Sequence, residues 1–265
     1  MLASPEIMPN PQANSDKSGF WYKRLMSGRG NGVKIGLLDT GVQDDHPDVQ
    51  GTIAAHYEIE GHGEQVTRVR QGFDWISHGT ACAGIIHEMA PEAEIHSVQI
   101  IGQKPTGTPA NLMAGLRFAI DQGWDVINIS AGAGRPHKEL RIMAEEAWNA
   151  GIIVIAAKDN RPGEIGFPAA FPTVLAVDME HFKDRLTFRY DPACLVQVEA
   201  KGVYVDAPCA DGGRKLYTGS SFAAPHISAI AARLKSEVPE LDAWMFREVL
   251  SELTEPVFPA AAAML

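Results

Sequence analysis

Cysteine, basic charge and long apolar runs are scarce in this chain, and each scarcity excludes a class of protein. The 265 residues include three cysteines, Cys82, Cys194 and Cys209, an odd number without metal-binding spacing, so neither a disulfide framework nor a zinc site is expected. Lys and Arg number 23 against 33 Asp and Glu, which argues against nucleic acid and membrane partners. No run of about 20 apolar residues is present, and residues 1–19 lack a signal-peptide pattern. We therefore expect a cytoplasmic protein with reduced thiols.

The composition that is present indicates one folded domain. Hydrophobic residues make up 45% and charged residues 21%, an ordinary globular balance, and the length is sufficient for a large core. Prolines within residues 5–11 favour irregular structure, so residues 1–20 are predicted to be a flexible N-terminal arm. We assign residues 21–255 to the domain and 256–265 to a C-terminal tail. Deleting residues 1–20 is expected to leave the fold intact, because they present no patterned apolar face.

From residue 33 onward, short runs rich in Val and Ile alternate with segments of helical spacing. Wholly apolar strands separated by helices are typical of an α/β domain, with a mostly parallel sheet and helices on both faces. Strands are predicted at 33–38, 95–101, 126–129, 152–156 and 174–177. Helices are predicted around 112–120, 140–147, 221–235 and 242–253, the last with Asp242 as its N-cap. In such sheets the active site lies at the carboxyl ends of the strands.

Three segments place reactive side chains at the ends of predicted elements. Residues 36–42 form an apolar strand that ends in Asp39-Thr-Gly, and residues 78–84 begin a helix of small residues with His78. In residues 218–226, Ser221 begins a further helix, in which Pro225 is expected to fall in the first turn.

Acyl transfer requires these three residue types together. A serine hydroxyl is a weak nucleophile that needs a neighbouring base to accept its proton. Histidine has a suitable pKa for accepting that proton and then donating it to the leaving amine. A buried aspartate fixes the histidine tautomer and stabilises the imidazolium. Each segment alone has an ordinary interpretation as a turn or a helix cap, but the three together favour nucleophilic catalysis.

In this order the segments resemble the aspartate, histidine and serine blocks of the subtilases, the subtilisin-like serine proteases. The resemblance extends from about residue 21 to about residue 250 and is closest in kind to intracellular members. It implies a single subtilisin-like domain with Asp39, His78 and Ser221 as the catalytic residues. A serine endopeptidase working through an acyl-enzyme is the implied activity, with a peptide or protein as substrate.

The resemblance also implies a set of substrate-binding residues. Asn160 follows a strand that ends in alanines and corresponds to the family's oxyanion asparagine, a donor whose loss typically costs about 3 kcal/mol of transition-state stabilisation. Ser130, Ala131 and Gly132 match the segment that pairs with the substrate backbone. Gly166 resembles the floor of the first specificity pocket, where glycine leaves room for a large side chain. Asp159 stands where the family usually has glycine.

Other features of the sequence concern metals and thiols. Asp48 matches one carboxylate of the calcium site of secreted subtilisins, but the remaining oxygen donors are absent, so no metal and no cofactor are expected. Cys82 is interpreted as a small buried thiol, with a redox role as the alternative.

The physiological role stays open between several possibilities. They are general turnover, cleavage of a dedicated peptide precursor, and ligation or cyclisation if an amine replaces water. A catalytically weak subtilase fold used for binding or scaffolding is the alternative from another class. The oligomeric state is also open.

Overall fold

The structure is a computed structural model that describes residues 11–61, 63, 65–103 and 107–254, with side chains described from Ser18 onward in the first helix. The helices are α1 (Pro11–Ser27), α2 (His78–Met89), α3 (Pro109–Asp121), α4 (Lys138–Asn149), α5 (Ser220–Glu237) and α6 (Ala243–Leu253). The strands are β1 (Lys34–Asp39), β2 (Ile53–Glu60), β3 (Gln65–Val69), β4 (Glu94–Gln99), β5 (Val126–Ile129), β6 (Ile153–Ala157), β7 (Leu175–Glu180), β8 (Phe188–Tyr190), β9 (Val198–Lys201), β10 (Val205–Pro208) and β11 (Arg214–Tyr217).

Nine of these strands form one mostly parallel sheet in the order β3-β2-β4-β1-β5-β6-β7-β9-β8. The strands β3 and β8, at the two edges, are antiparallel to their neighbours. The remaining strands, β10 and β11, form a separate antiparallel hairpin. The predicted α/β class with a mostly parallel sheet is therefore confirmed.

Helices cover both faces of the sheet because the central strands carry apolar side chains on both sides. Every residue of β5 is buried: Val126 belongs to one hydrophobic cluster, and Ile127 and Ile129 belong to a second one. One cluster joins the sheet to α2, α5, α6 and the end of α1, and the other joins it to α3 and α4. This packing fixes the carboxyl ends of β1, β5 and β6 beside the first turns of α2 and α5.

The N-terminal region differs from its prediction. Residues 11–20 were expected to belong to an irregular arm, but α1 begins at Pro11, a residue that is well tolerated in the first helical turn. Trp21 packs against the core and Leu25 is buried, so tertiary packing stabilises the helix where local composition did not. Residues 1–10 and the predicted tail 256–265 lie outside the described residues.

The position of Pro225 is also corrected. Because α5 begins at Ser220, Pro225 is in the second turn and not the first. It has no N–H to donate to the carbonyl of Ser221, four residues earlier. That carbonyl must find another donor, and the active site supplies it.

Candidate active site

Asp39, His78 and Ser221 meet at the carboxyl edge of the sheet in a continuous chain of hydrogen bonds. The Nδ1 atom of His78 lies 2.7 Å from Oδ1 of Asp39, and its Nε2 lies 2.8 Å from Oγ of Ser221. Asp39 ends β1, His78 begins α2 and Ser221 is in the first turn of α5. The three predicted catalytic side chains are thus arranged like a serine protease triad.

Asp39 is only 2% exposed, and few donors satisfy its carboxylate. Its Oδ1 accepts a hydrogen bond of 2.7 Å from the backbone N–H of Thr40 as well as the one from His78. Its Oδ2 is buried without a hydrogen-bond partner among the described residues. A buried carboxylate with so few hydrogen-bond donors is stabilised by a nearby positive charge. His78 supplies that charge when its ring is protonated.

Electrostatics around His78 follow from this pairing. Burial alone lowers the pKa of His78, but the charge of Asp39 and the hydrogen bond to it raise the pKa well above its usual value. Burial raises the pKa of the neighbouring Cys82 thiol to about 11, so this cysteine is neutral at physiological pH. The structure therefore agrees with the interpretation of Cys82 as a buried thiol.

Asp74 holds the start of α2 against the end of β1, a role that the sequence interpretation missed. Its Oδ2 accepts hydrogen bonds from the backbone N–H of Thr80 at 2.8 Å and from the hydroxyl of Thr80 at 2.7 Å. Its Oδ1 accepts from the backbone N–H of Ser77 at 2.9 Å and from the hydroxyl of Thr40 at 2.8 Å. An aspartate shortly before a helix start is a recognisable capping signal.

The carbonyl of Ser221, which Pro225 cannot pair, is bonded by two other side chains. The hydroxyl of Ser130 donates to it at 3.0 Å, and the Cys82 thiol approaches it at 3.5 Å. Asn128 donates in turn to the hydroxyl of Ser130 at 2.9 Å. Ser130, predicted to bind substrate, thus uses its side chain to hold the backbone of the nucleophile.

Asn160 is fixed beside Ser221 by the residue that precedes the nucleophile. Its Oδ1 accepts hydrogen bonds from the N–H of Ser220 at 3.0 Å and from its hydroxyl at 3.1 Å. Its Nδ2 is left to face the site: a methyl group placed on Gly219 would lie 3.5 Å from Nδ2 and 3.4 Å from Oγ of Ser221. Asp159 does not have a positive φ, so it does not need the conformation that glycine favours.

Two pockets adjoin the triad and share residues 130–132. The first, of about 560 Å³, extends from Asp39 and His78 and is lined largely by apolar groups; we call it the apolar pocket. Its apolar side chains include Ile76, Ile100, Ile101 and Leu112. The second, of about 430 Å³, opens at Ser221; we call it the primary pocket. Its lining includes Ala131, Gly132, residues 157–160, Ile165 and Gly166.

The predicted substrate-binding residues Ser130, Ala131, Gly132 and Gly166 all line the primary pocket. Strand β5 itself is not available to a substrate. Both edges of β5 are paired, with β1 and β6, so residues 126–129 cannot pair with a peptide. Only the segment after β5 is accessible to a substrate backbone, and further along it Ala133 pairs with Phe167. Gly166 lines the primary pocket, and Asp159 is its neighbour there. A methyl group on Gly166 would be 3.4 Å from Cβ of Asp159.

Potential metal ligands among the described residues are those of the triad region. Asp39, His78 and Cys82 bring one ligand atom each within 4.8 Å of one another. These atoms already serve the hydrogen bonds of the triad. Asp48, which resembles a calcium ligand by sequence, is bonded to Arg214 at 2.6 Å. None of the described helices has the length and apolar character needed to cross a membrane.

Comparison with known proteins gives one consistent result. The model of the subtilase family, Peptidase_S8, matches residues 30–256. Subtilisin DY of Bacillus licheniformis is 29% identical over 238 residues, which cover 84% of this chain and 84% of that protein. The thermophilic serine proteinase of Bacillus sp. (strain AK1) is 31% identical over 218 residues, which cover 78% of this chain and 53% of that protein.

The fold leads to the same family. The structure of sphericase superposes with a TM-score of 0.73 and 26% identity, covering 85% of this chain and 83% of that one. The family match spans Asp39, His78 and Ser221, whose hydrogen bonds are arranged like those of a serine protease triad. The chain therefore belongs to the subtilase family and is a subtilisin-like serine protease.

Proposed function

We propose that the protein is an endopeptidase in which Ser221 attacks the peptide carbonyl carbon and its proton passes to Nε2 of His78. The observation that carries this proposal is the hydrogen-bonded chain of 2.7 Å and 2.8 Å through the imidazole. Asp39 accepts a hydrogen bond from Nδ1–H, stays ionised and stabilises the imidazolium. When the carbon–nitrogen bond breaks, the departing amine takes the proton from Nε2. Water then attacks the acyl ester, its proton passes through His78, and Ser221 is regenerated.

Asn160 and the backbone N–H of Ser221 are the proposed donors to the oxyanion. The orientation of Asn160 supports this role, because its Oδ1 is occupied by Ser220 and its Nδ2 faces the space beside Oγ of Ser221. Preorganised donors of this kind stabilise the charge that develops on the tetrahedral intermediate. The backbone of residues 130–132 is the proposed binding site for the substrate chain on the acyl side, because it borders both pockets.

We also propose a restricted set of peptide precursors as substrates and a cytoplasmic location. A charged residue, Asp159, lines the primary pocket beside Gly166, which supports selective cleavage over general turnover. All three cysteines are free and Cys194 is exposed, which supports a reducing compartment.

A diverse peptide library analysed by mass spectrometry tests the proposed activity. The native protein should cleave peptides, whereas Ser221→Ala should leave them intact, because the hydroxyl that forms the acyl-enzyme is gone. A fluorophosphonate probe should label the native protein at Ser221. A parallel incubation with an added amine reports ligation as a new peptide mass. Folded native protein that neither labels nor cleaves would refute the proposal.

A further inference from the structure

The primary pocket contains a carboxylate whose position is fixed by the surrounding backbone. Asp159 lines this pocket, and its backbone N–H donates to the carbonyl of Ile165 at 2.8 Å. Its side chain lies against Gly166 and is only 25% exposed. This side chain therefore starts at the wall of the space that a substrate side chain would enter from Ser221.

The present partner of this carboxylate is an exposed surface side chain. Arg161 donates from Nη2 to Oδ2 of Asp159 at 2.6 Å and from Nε to Oδ1 at 3.0 Å. The Arg161 side chain is 64% exposed and does not line the pocket. The guanidinium end of the pair is exposed, so solvent screens the interaction and a competing cation can replace Arg161. These hydrogen bonds keep the pKa of Asp159 below its usual value, so the carboxylate is charged at neutral pH.

Lys158, which also lines the pocket, helps to lower the pKa of Asp159 but has its direct ion pair with another carboxylate. Its Nζ lies 2.9 Å from Oδ2 of Asp178. Both members of that pair are largely covered, with 23% and 28% of their side chains exposed. The charge of Lys158 is thus neutralised within the fold, whereas Asp159 is neutralised by a group that solvent can replace.

From this arrangement we infer that Asp159 is a specificity-determining residue that selects a cationic side chain, Arg or Lys, at the acyl side of the scissile bond. The inference rests on the proposed endopeptidase function. A substrate guanidinium or ammonium takes the place of Arg161 on a carboxylate that is already positioned. A bidentate pair of this kind supplies both affinity and orientation. An apolar substrate side chain leaves the Asp159–Arg161 pair in place and therefore has less room in the pocket. An acidic substrate side chain is repelled by the negative charge of Asp159.

A series of internally quenched peptides that differ only at the acyl-side residue tests this inference. The native enzyme should show a kcat/KM for Arg and Lys that is about tenfold or more above that for Phe, with Glu the poorest. In Asp159→Asn the ratio of Arg to Phe should fall by about tenfold, because the charge pair is lost. Arg161→Ala should lower KM for the Arg peptide, because it removes the competing guanidinium.

Glu164→Gln is the matched control, since Glu164 is an exposed carboxylate in the same loop that does not line the pocket. It should leave the ratio of Arg to Phe unchanged. Fluorophosphonate labelling at Ser221 shows that each variant is folded and reactive. A native enzyme that labels but cleaves Phe as well as Arg, or an unchanged ratio in a labelled Asp159→Asn, overturns the inference alone. Absence of labelling and cleavage in the native protein overturns the proposed function, and the inference with it.

Discussion

His78 bonds Asp39 and Ser221 at once, and its protonation state decides whether the serine can be activated. The pKa of His78 is raised mainly by Asp39 against the opposing effect of burial, so below that pKa the ring is protonated and cannot act as a base. We expect kcat/KM to rise with pH through a midpoint above the ordinary histidine value of about 6.5. In Asp39→Asn the midpoint should move to lower pH, because the raising charge is gone.

The same variant should lose about four orders of magnitude in kcat, since the imidazolium and its tautomer are no longer stabilised. Initial rates across roughly pH 5 to 9 provide both quantities. Asp45→Asn is the matched control, because Asp45 is exposed and bonded to Gln43, and it should leave the profile unchanged. A midpoint that is identical in native protein and Asp39→Asn would show that Asp39 does not set the pKa.

At the residue scale, the sequence could predict which side chains form the triad-like arrangement but not how they are held. Asp39, His78 and Ser221 each occur within a short local pattern, and the structure brings them together as expected. The bond from Ser130 to the Ser221 carbonyl joins positions 91 residues apart and depends on the packing of α5 against β5. The pairing of Asp159 with Arg161 is local, but its place in a pocket also depends on residues 130–132 and Ser221, which are distant in sequence.

At the scale of elements, α1 depends on a few contacts near its end. Leu25 is 4% exposed, and Arg233 of α5 donates to the carbonyls of Leu25 and Met26 at 2.7 Å and 3.0 Å. We expect Leu25→Ala to lower the free energy of unfolding by about 2–4 kcal/mol, because it leaves a cavity. Tyr22→Ala removes a side chain that is 58% exposed and should change it by about 0.5 kcal/mol or less.

Denaturant titration measures the free energy of unfolding of both variants. A truncated chain that begins at residue 19 tests whether the earlier part of α1 also contributes. This truncation keeps Trp21 and Leu25, so its unfolding midpoint should stay close to that of the full chain. A large loss of stability in this truncation, with little effect of Leu25→Ala, would place the important contacts earlier in the helix.

Apolar periodicity predicted the buried elements well and the exposed ones poorly. The strands predicted at 33–38, 126–129 and 152–156 are found within one residue of those bounds, because both faces of each are covered by helices. By contrast, β2 and β3 lie at one side of the sheet and carry polar residues, so their pattern is not distinctive. The first turn of α1 was missed because its stabilising contacts are made further along the chain.

At the scale of the whole molecule, Arg214 joins three parts of the fold through ion pairs. It contacts Asp48 at 2.6 Å, Glu88 of α2 at 2.8 Å and Asp206 of β10 at 3.1 Å. The positive charge of the Arg214 guanidinium balances these three carboxylates, so no bound cation is needed to do so. We therefore expect a chelator to leave the melting temperature of the native protein unchanged.

Arg214→Gln leaves these three carboxylates without their shared partner. The free energy of unfolding should fall by about 1–2 kcal/mol, between the values for exposed and buried pairs. Added calcium should recover part of this loss in the variant and have no effect on the native protein. Thermal unfolding with and without the ion measures this. A native protein that melts earlier in the presence of a chelator would contradict the expectation.

The distance along the chain between the catalytic side chains has a consequence for biosynthesis. Asp39 and His78 leave the ribosome long before Ser221, which lies 143 residues after His78. The helix that carries Ser221 packs against β5, β6, β7 and β9, so the core stays open until this late segment is made. Until α5 has been made, a nascent chain lacks Ser221, the proposed nucleophile, and should not be able to cut itself or its neighbours. The proposed nucleophile therefore appears together with the helix that completes this part of the core.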